Sequence, residues 1–172
     1  MQFRTLLFLV VAAVIAACGG PASDVDMQES DTKPGVLTAE TLGEQVVLPT
    51  ADYLELPEYK DADPEHGTRL AMQCRACHSF ERDGPAVAGP NLHGIFGKQV
   101  AAATGFPYSP ALASADFIWT PLTLDAWLAA PQQFLPGNRM AYPGLRNAAD
   151  RNALIAALLR LTTDDTPEPG DD

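Results

Sequence analysis

Cys74-Arg75-Ala76-Cys77-His78 decides the fold of this chain. Two thiols separated by two residues, with a histidine beside the second, form the attachment pattern of a c-type haem. Each thiol adds across one vinyl group at a porphyrin edge, and the two-residue gap lets one helical turn span them. The histidine is then held under the iron as its proximal ligand. A Cys-x-x-Cys pair has other uses. It is half of a zinc site, but the chain has no second Cys/His pair to complete four ligands. It is also a thioredoxin-like redox pair, which needs a strand–helix context that is only weakly signalled here. Coincidence is the remaining reading, and the rest of the chain has to decide among them.

The 172 residues suffice for one domain plus tails. The net charge of −11 is unevenly placed. Residues 18–66 carry −10, residues 67–161 carry +3 and residues 162–172 carry −5. A mildly basic centre therefore lies between two acidic, proline-containing ends, which solvate themselves because few apolar groups offset their ordering entropy. Cys18, Cys74 and Cys77 are the only cysteines, so a disulfide framework is not expected. The basic residues are scattered rather than clustered with stacking aromatics, which argues against nucleic-acid binding.

Residues 1–17 read as a targeting segment. Arg4 is the only charge before an apolar run of 13 residues, shorter than the roughly 20 that span a bilayer as a helix. Ile15-Ala16-Ala17-Cys18 is similar to a bacterial lipobox, with Cys18 lipidated and first in the mature chain; an ordinary signal peptide with an incidental cysteine is the alternative. Multiple acyl chains on that one residue give stable anchoring. Residues 18–62 are expected to form an acidic, flexible tether interrupted by Pro34, Pro49 and Pro57, in which Val46, Val47 and Leu48 form a short strand or lie against the domain.

The folded domain is expected over residues 63–161, with an acidic disordered tail over 162–172. Asp63-Pro64 supplies an N-cap and first-turn proline for a helix to about Cys77. The stretch 84–110, punctuated by glycine and proline, has neither helical nor strand periodicity and suits wrapping a cofactor. Thr120-Pro121 opens a second helix, with Leu124, Trp127 and Leu128 on one face, that Pro131 ends. Asn147, with Asp150 three residues on, caps a last helix whose apolar stripe is Leu154, Leu158 and Leu161. Met72 reads as a core filler and His66 as solvent-facing.

Gly89-Pro90-Asn91-Leu92-His93-Gly94-Ile95-Phe96-Gly97 resembles the loop that follows the haem motif in class I cytochromes c, the family of mitochondrial cytochrome c and its soluble bacterial relatives. The resemblance continues through Gly105-Phe106-Pro107-Tyr108, Trp119, Trp127-Leu128, Pro131 and Pro136-Gly137-Asn138-Arg139-Met140, in order and with matching spacings. It implies an all-α fold, helices wrapped around one covalent haem c with long irregular pocket loops. It implies attachment at Cys74 and Cys77, with His78 and Met140 as axial iron ligands. The Pro90 carbonyl would accept the other ring N–H of His78. Tyr108 and Trp119 would donate to a haem propionate, while Trp127 and Phe96 would pack against the ring and His93 would be structural. The chain also departs from the family. Lys98 replaces an arginine, Trp127 a tyrosine that bonds the ligand sulfur, Leu112 a polar residue, and Ala157 an aromatic between the terminal helices, whose contact is then expected to be looser.

These residues imply a monomeric single-electron carrier rather than an enzyme. It would face the periplasm of a bacterial cell envelope, lipid-anchored to a membrane of a respiratory chain. Arg75, Lys98, Arg139 and Arg146 would form a docking face for redox proteins with acidic surfaces: a cytochrome bc complex, terminal oxidase, peroxidase or dehydrogenase. A haem peroxidase or gas or redox sensor with a labile methionine ligand is the alternative, and an interaction lipoprotein with a structural haem is a third reading.

Overall fold

The computed structural model describes residues 37–164, all within the unit Pro34–Asp172. The expected signal segment, Cys18, the first half of the expected tether and most of the acidic tail lie outside the described residues. Among those described, the secondary structure is helical: α1 Thr50–Leu54, α2 Pro57–Lys60, α3 Pro64–Arg75, α4 Pro110–Ser114, α5 Pro121–Ala129, α6 Pro131–Phe134 and α7 Ala148–Leu161. The only extended pairing among them is an isolated antiparallel bridge between Gln99 and Ile118. The all-α expectation holds. No described helix is long and apolar enough to cross a membrane.

Three helix starts follow from their caps. The Asp63 carboxylate accepts the His66 N–H at 2.9 Å, the Thr120 hydroxyl accepts the Thr123 N–H at 3.1 Å, and Asn147 Oδ1 accepts the N–H groups of Ala149 and Asp150 at 2.8 and 3.3 Å. Each satisfies donors that a helix N-terminus leaves over. Asp150 does not complete a capping box. Its Oδ1 instead lies 2.8 Å from His66 Nε2, tying α7 to α3, so His66 is half-buried and partnered rather than solvent-facing.

The terminal helices α3 and α7 cross tightly. A Cβ on Gly67 would stand 2.1 Å from the Ala153 carbonyl oxygen and 3.2 Å from the Ala157 Cβ. Glycine is required there because the two backbones approach too closely for any side chain. Ala157 thus permits a close contact, where a loose one was expected. Helix α3 turns Gly67 and Ala71 inward, leaving Met72 58% exposed and outside the core. Helix α7 buries every residue from Ala153 to Leu159, so its apolar surface is broader than a stripe; Leu161, expected on that stripe, is exposed.

Residues 37–62 do not form a tether. Leu42, Tyr53 and Tyr59 are buried in the main core, α2 packs on α7, and the Ala39 N–H donates to the Phe134 carbonyl at 3.1 Å. Burying two aromatic rings and a leucine removes enough apolar surface from water to order this acidic segment, at about 1.5–3 kcal/mol per side chain. Val46, Val47 and Leu48 form no strand but lie against the domain: the buried Tyr53 hydroxyl donates to the Val46 carbonyl at 3.1 Å and accepts the Leu48 N–H at 3.0 Å, while the three side chains remain exposed.

Phe117, Trp119, Trp127 and Phe134 form a closed ring of edge-to-face contacts. Centroids are 4.9 Å apart for Phe117–Trp119, 5.5 Å for Trp119–Trp127, 5.8 Å for Trp127–Phe134 and 5.4 Å for Phe117–Phe134. Positive ring edges meet negative ring faces at each corner, which fixes orientation as well as burial.

Candidate functional site

The last turn of α3 and the turn that follows it carry the haem motif. The N–H groups of Cys77 and His78 both donate to the Cys74 carbonyl, at 3.0 and 2.9 Å, so one turn gathers both thiols and the imidazole. Cys74 is half-buried against the core, and burial pushes its thiol up to about 11. Cys77 is exposed.

His78 is oriented as expected. Its Nδ1 lies 2.7 Å from the Pro90 carbonyl oxygen. A carbonyl only accepts, so Nδ1 carries the proton and Nε2 presents a lone pair. Burial lowers the pKa of His78, with the Pro90 carbonyl opposing, and this favours the neutral imidazole that binds metal. Gly89 makes the arrangement possible. A Cβ at that position would stand 2.3 Å from His78 Cε1, and the Gly89 N–H holds the loop to the Cys77 carbonyl at 2.8 Å.

Met140 lies on an irregular segment after α6, as expected. Buried Asn138 holds it there. Its Nδ2 donates to the carbonyls of Pro131 and Leu135 at 2.9 and 2.8 Å, and its Oδ1 accepts the Met140 N–H at 3.0 Å. Above the thioether, the indole Nε1 of Trp127, buried on α5, donates to Met140 Sδ at 3.1 Å. The indole therefore supplies the sulfur contact that replacement of tyrosine put in doubt. The anchoring role of Asn138 was not anticipated; its only sequence signal is a polar residue between a Pro-Gly turn and the methionine.

Lys98 and Trp119 are neighbours: the Trp119 N–H donates to the Lys98 carbonyl at 2.9 Å. The exposed Lys98 ammonium turns back onto the His93 carbonyl at 3.0 Å. Tyr108 makes its contacts within its own loop, accepting the Ala103 N–H at 3.3 Å and meeting Phe106 edge-to-face at 4.8 Å; burial raises its pKa. Phe96 and Leu112 are half-buried at the core edge. Both ring nitrogens of His93 are engaged, Nδ1 with the Phe80 carbonyl at 3.0 Å and Nε2 with Asp164 at 3.3 Å, which suits a structural histidine.

The basic face is smaller than expected. Arg75 pairs with Glu81 and stacks over Phe80 at 4.6 Å. The Arg75 guanidinium, with backbone N–H groups of Glu81 and Phe80, draws the Glu81 carboxyl down to about 2. Its charge is offset there. Lys98 and Arg139 donate to the neutral carbonyls of His93 and Pro107.

The donor set fits an iron porphyrin: two thiols on one turn, an imidazole with a directed lone pair, and a soft thioether. Among the described residues no three His, Cys, Asp or Glu side chains are placed so that they could hold one metal ion between them. No family model matches the chain. It is 34% identical over 104 residues to cytochrome c of Kluyveromyces lactis, covering 60% of this chain and 94% of that protein. It is 34% identical over 102 residues to cytochrome c2 of Rhodoblastus acidophilus, covering 59% and 95%. With the cytochrome c-type cyt cy of Rhodobacter capsulatus the identity is 37% over 110 residues, covering 59% and 54%. With this haem motif, all-helical fold and span of similarity, the chain belongs to the class I cytochrome c family, electron-transfer proteins that carry one covalently bound haem c.

Proposed function

We propose that the protein is a single-electron carrier whose haem c is joined to Cys74 and Cys77 and held axially by His78 and Met140. When bound, the haem supplies the one-electron couple. The observation that carries this reading is the held thioether: Trp127 donates to its sulfur, and Asn138 fixes its backbone. His78 and Met140 would together hold the iron, which would leave it no open position for a substrate. The same contacts oppose the peroxidase or sensor alternative, which needs Met140 to move away. Trp119, Lys98 and Tyr108 are assigned to the propionate side, a reading supported by the pairing of the Lys98 and Trp119 segments.

Residues 1–17 are proposed as a lipoprotein signal peptide and Cys18 as the lipidated residue, placing the domain on the periplasmic face of a membrane. Lys98, Arg139 and Arg146 would meet acidic redox partners through a small, salt-sensitive interface; a cytochrome bc complex or periplasmic dehydrogenase is the proposed donor, and a terminal oxidase or peroxidase the acceptor. The test is Met140→Ala. Haem stays attached and the reduction potential falls, because the soft ligand that favours ferrous iron is gone. An unchanged potential overturns the ligand assignment.

A further inference from the structure

Gln45 lies upstream of the part of the chain that the relatives match, yet its side chain reaches 73 residues along the sequence to the pocket wall. Its Nε2 donates to the Ile118 carbonyl at 2.7 Å and to the Thr123 hydroxyl at 2.5 Å, and its Oε1 accepts the Ile118 N–H at 2.8 Å. The Gln99–Ile118 bridge explains why Ile118 needs this partner. The flanking bonds, Val100 N–H to Phe117 carbonyl and Trp119 N–H to Lys98 carbonyl, use the groups on one side of the strand. Ile118's own N–H and carbonyl face the other side, as unpaired edge groups, and a primary amide meets both.

We infer that Gln45 is a positioning residue for the methionine side of the pocket. Ile118 lies between Phe117 and Trp119, two corners of the aromatic ring, so fixing its peptide groups fixes both corners. Thr123 belongs to the hydroxyl pair with Thr120, at 2.9 Å, that caps α5, and α5 carries Trp127. Trp119 meets Trp127 at 5.5 Å, and Trp127 donates to Met140 Sδ at 3.1 Å. One side chain from the N-terminal segment thus braces both elements that aim the indole at the sulfur. The Ala39–Phe134 bond braces a third corner from the same segment.

The inference rests on Met140 as an iron ligand, and the experiment separates the two. Four variants of the full-length holoprotein are compared: Gln45→Met, which keeps side-chain length and loses all three bonds; Gln45→Glu, which keeps acceptance from Ile118; Tyr59→Leu, which loosens α2 against α7 without touching Ile118; and Met140→Ala. The readouts are the reduction potential and the long-wavelength ferric charge-transfer band of a methionine–iron bond. Gln45→Met is expected to lower the potential and weaken the band, Gln45→Glu to do so less, and Tyr59→Leu to lower thermal stability alone. Wild-type potential and band in Gln45→Met, with Met140→Ala shifted, overturn the role of Gln45 and leave the ligand standing. Equal shifts in Tyr59→Leu also overturn it, since Gln45 is then merely structural. An unshifted Met140→Ala overturns both.

Discussion

The indole Nε1 of Trp127 stands 3.1 Å from the sulfur of Met140 and donates to it. A donor on a thioether competes for the lone pairs that the sulfur offers to iron. With Met140 as the proposed ligand, the contact would make the thioether a still weaker electron donor and so add to its preference for ferrous over ferric iron. Trp127→Phe keeps an apolar ring but removes the N–H, and should lower the reduction potential in voltammetry of the holoprotein. Because Trp127 is buried, the smaller ring should also destabilise the fold by about 1–3 kcal/mol.

Gly89→Ala tests the seating of His78. The added methyl would overlap the imidazole, 2.3 Å from Cε1, so the ring must leave the Pro90 carbonyl. The expected outcome is a large fall in the fraction of chains recovered with haem and a shifted spectrum in what remains. Wild-type recovery and spectrum would mean that His78 does not depend on this backbone.

Gly67→Ala acts on the α3–α7 crossing. Its Cβ would stand 2.1 Å from the Ala153 carbonyl oxygen, and a backbone atom cannot swing aside. Overpacking of this kind costs about 1–3 kcal/mol, read as a lower denaturant midpoint at unchanged slope. Haem attachment should survive, because the haem motif lies at the other end of α3.

Glu81 gives a pH test with a definite sign. Its folded-state pKa is about 2, lowered chiefly by the Arg75 hydrogen bond. A depressed carboxyl stabilises the fold above its unfolded value of 4.5, and that contribution fades as pH falls toward 2. The Glu81 carboxyl resonance should titrate near that value, and Arg75→Ala should raise the midpoint toward the ordinary carboxylate range.

Cys18→Ser should release the protein from membranes, as measured by fractionation of cells producing the full chain. Retention without Cys18 would mean an uncleaved anchor or a docking partner.

What was legible in the sequence was chemistry with fixed spacing. Cys74, Cys77 and His78 announce themselves because a porphyrin edge dictates the gap, and Asp63, Thr120 and Asn147 because capping needs a short polar side chain at one position. Residues 37–62 were not legible. Their buried groups, Leu42, Tyr53 and Tyr59, fit no helical or strand period, and acidic residues between them imitate a solvated tether. Met72 misled for a related reason: α3 meets α7 through Gly67 and Ala71, so its buried face is its small face. Long-range polar pairs such as His66–Asp150 and Gln45–Ile118 leave no local pattern, since each partner is ordinary in its own neighbourhood.

Carbon monoxide binding to the reduced holoprotein at neutral pH, followed by its visible spectrum, reads out whether Met140 occupies the iron. With Met140 as the proposed iron ligand, a sulfur held by Trp127 and Asn138 would keep the iron closed, so the spectrum should not change. Ready formation of a carbon monoxide adduct would contradict a closed electron carrier and point to an iron site open to ligands.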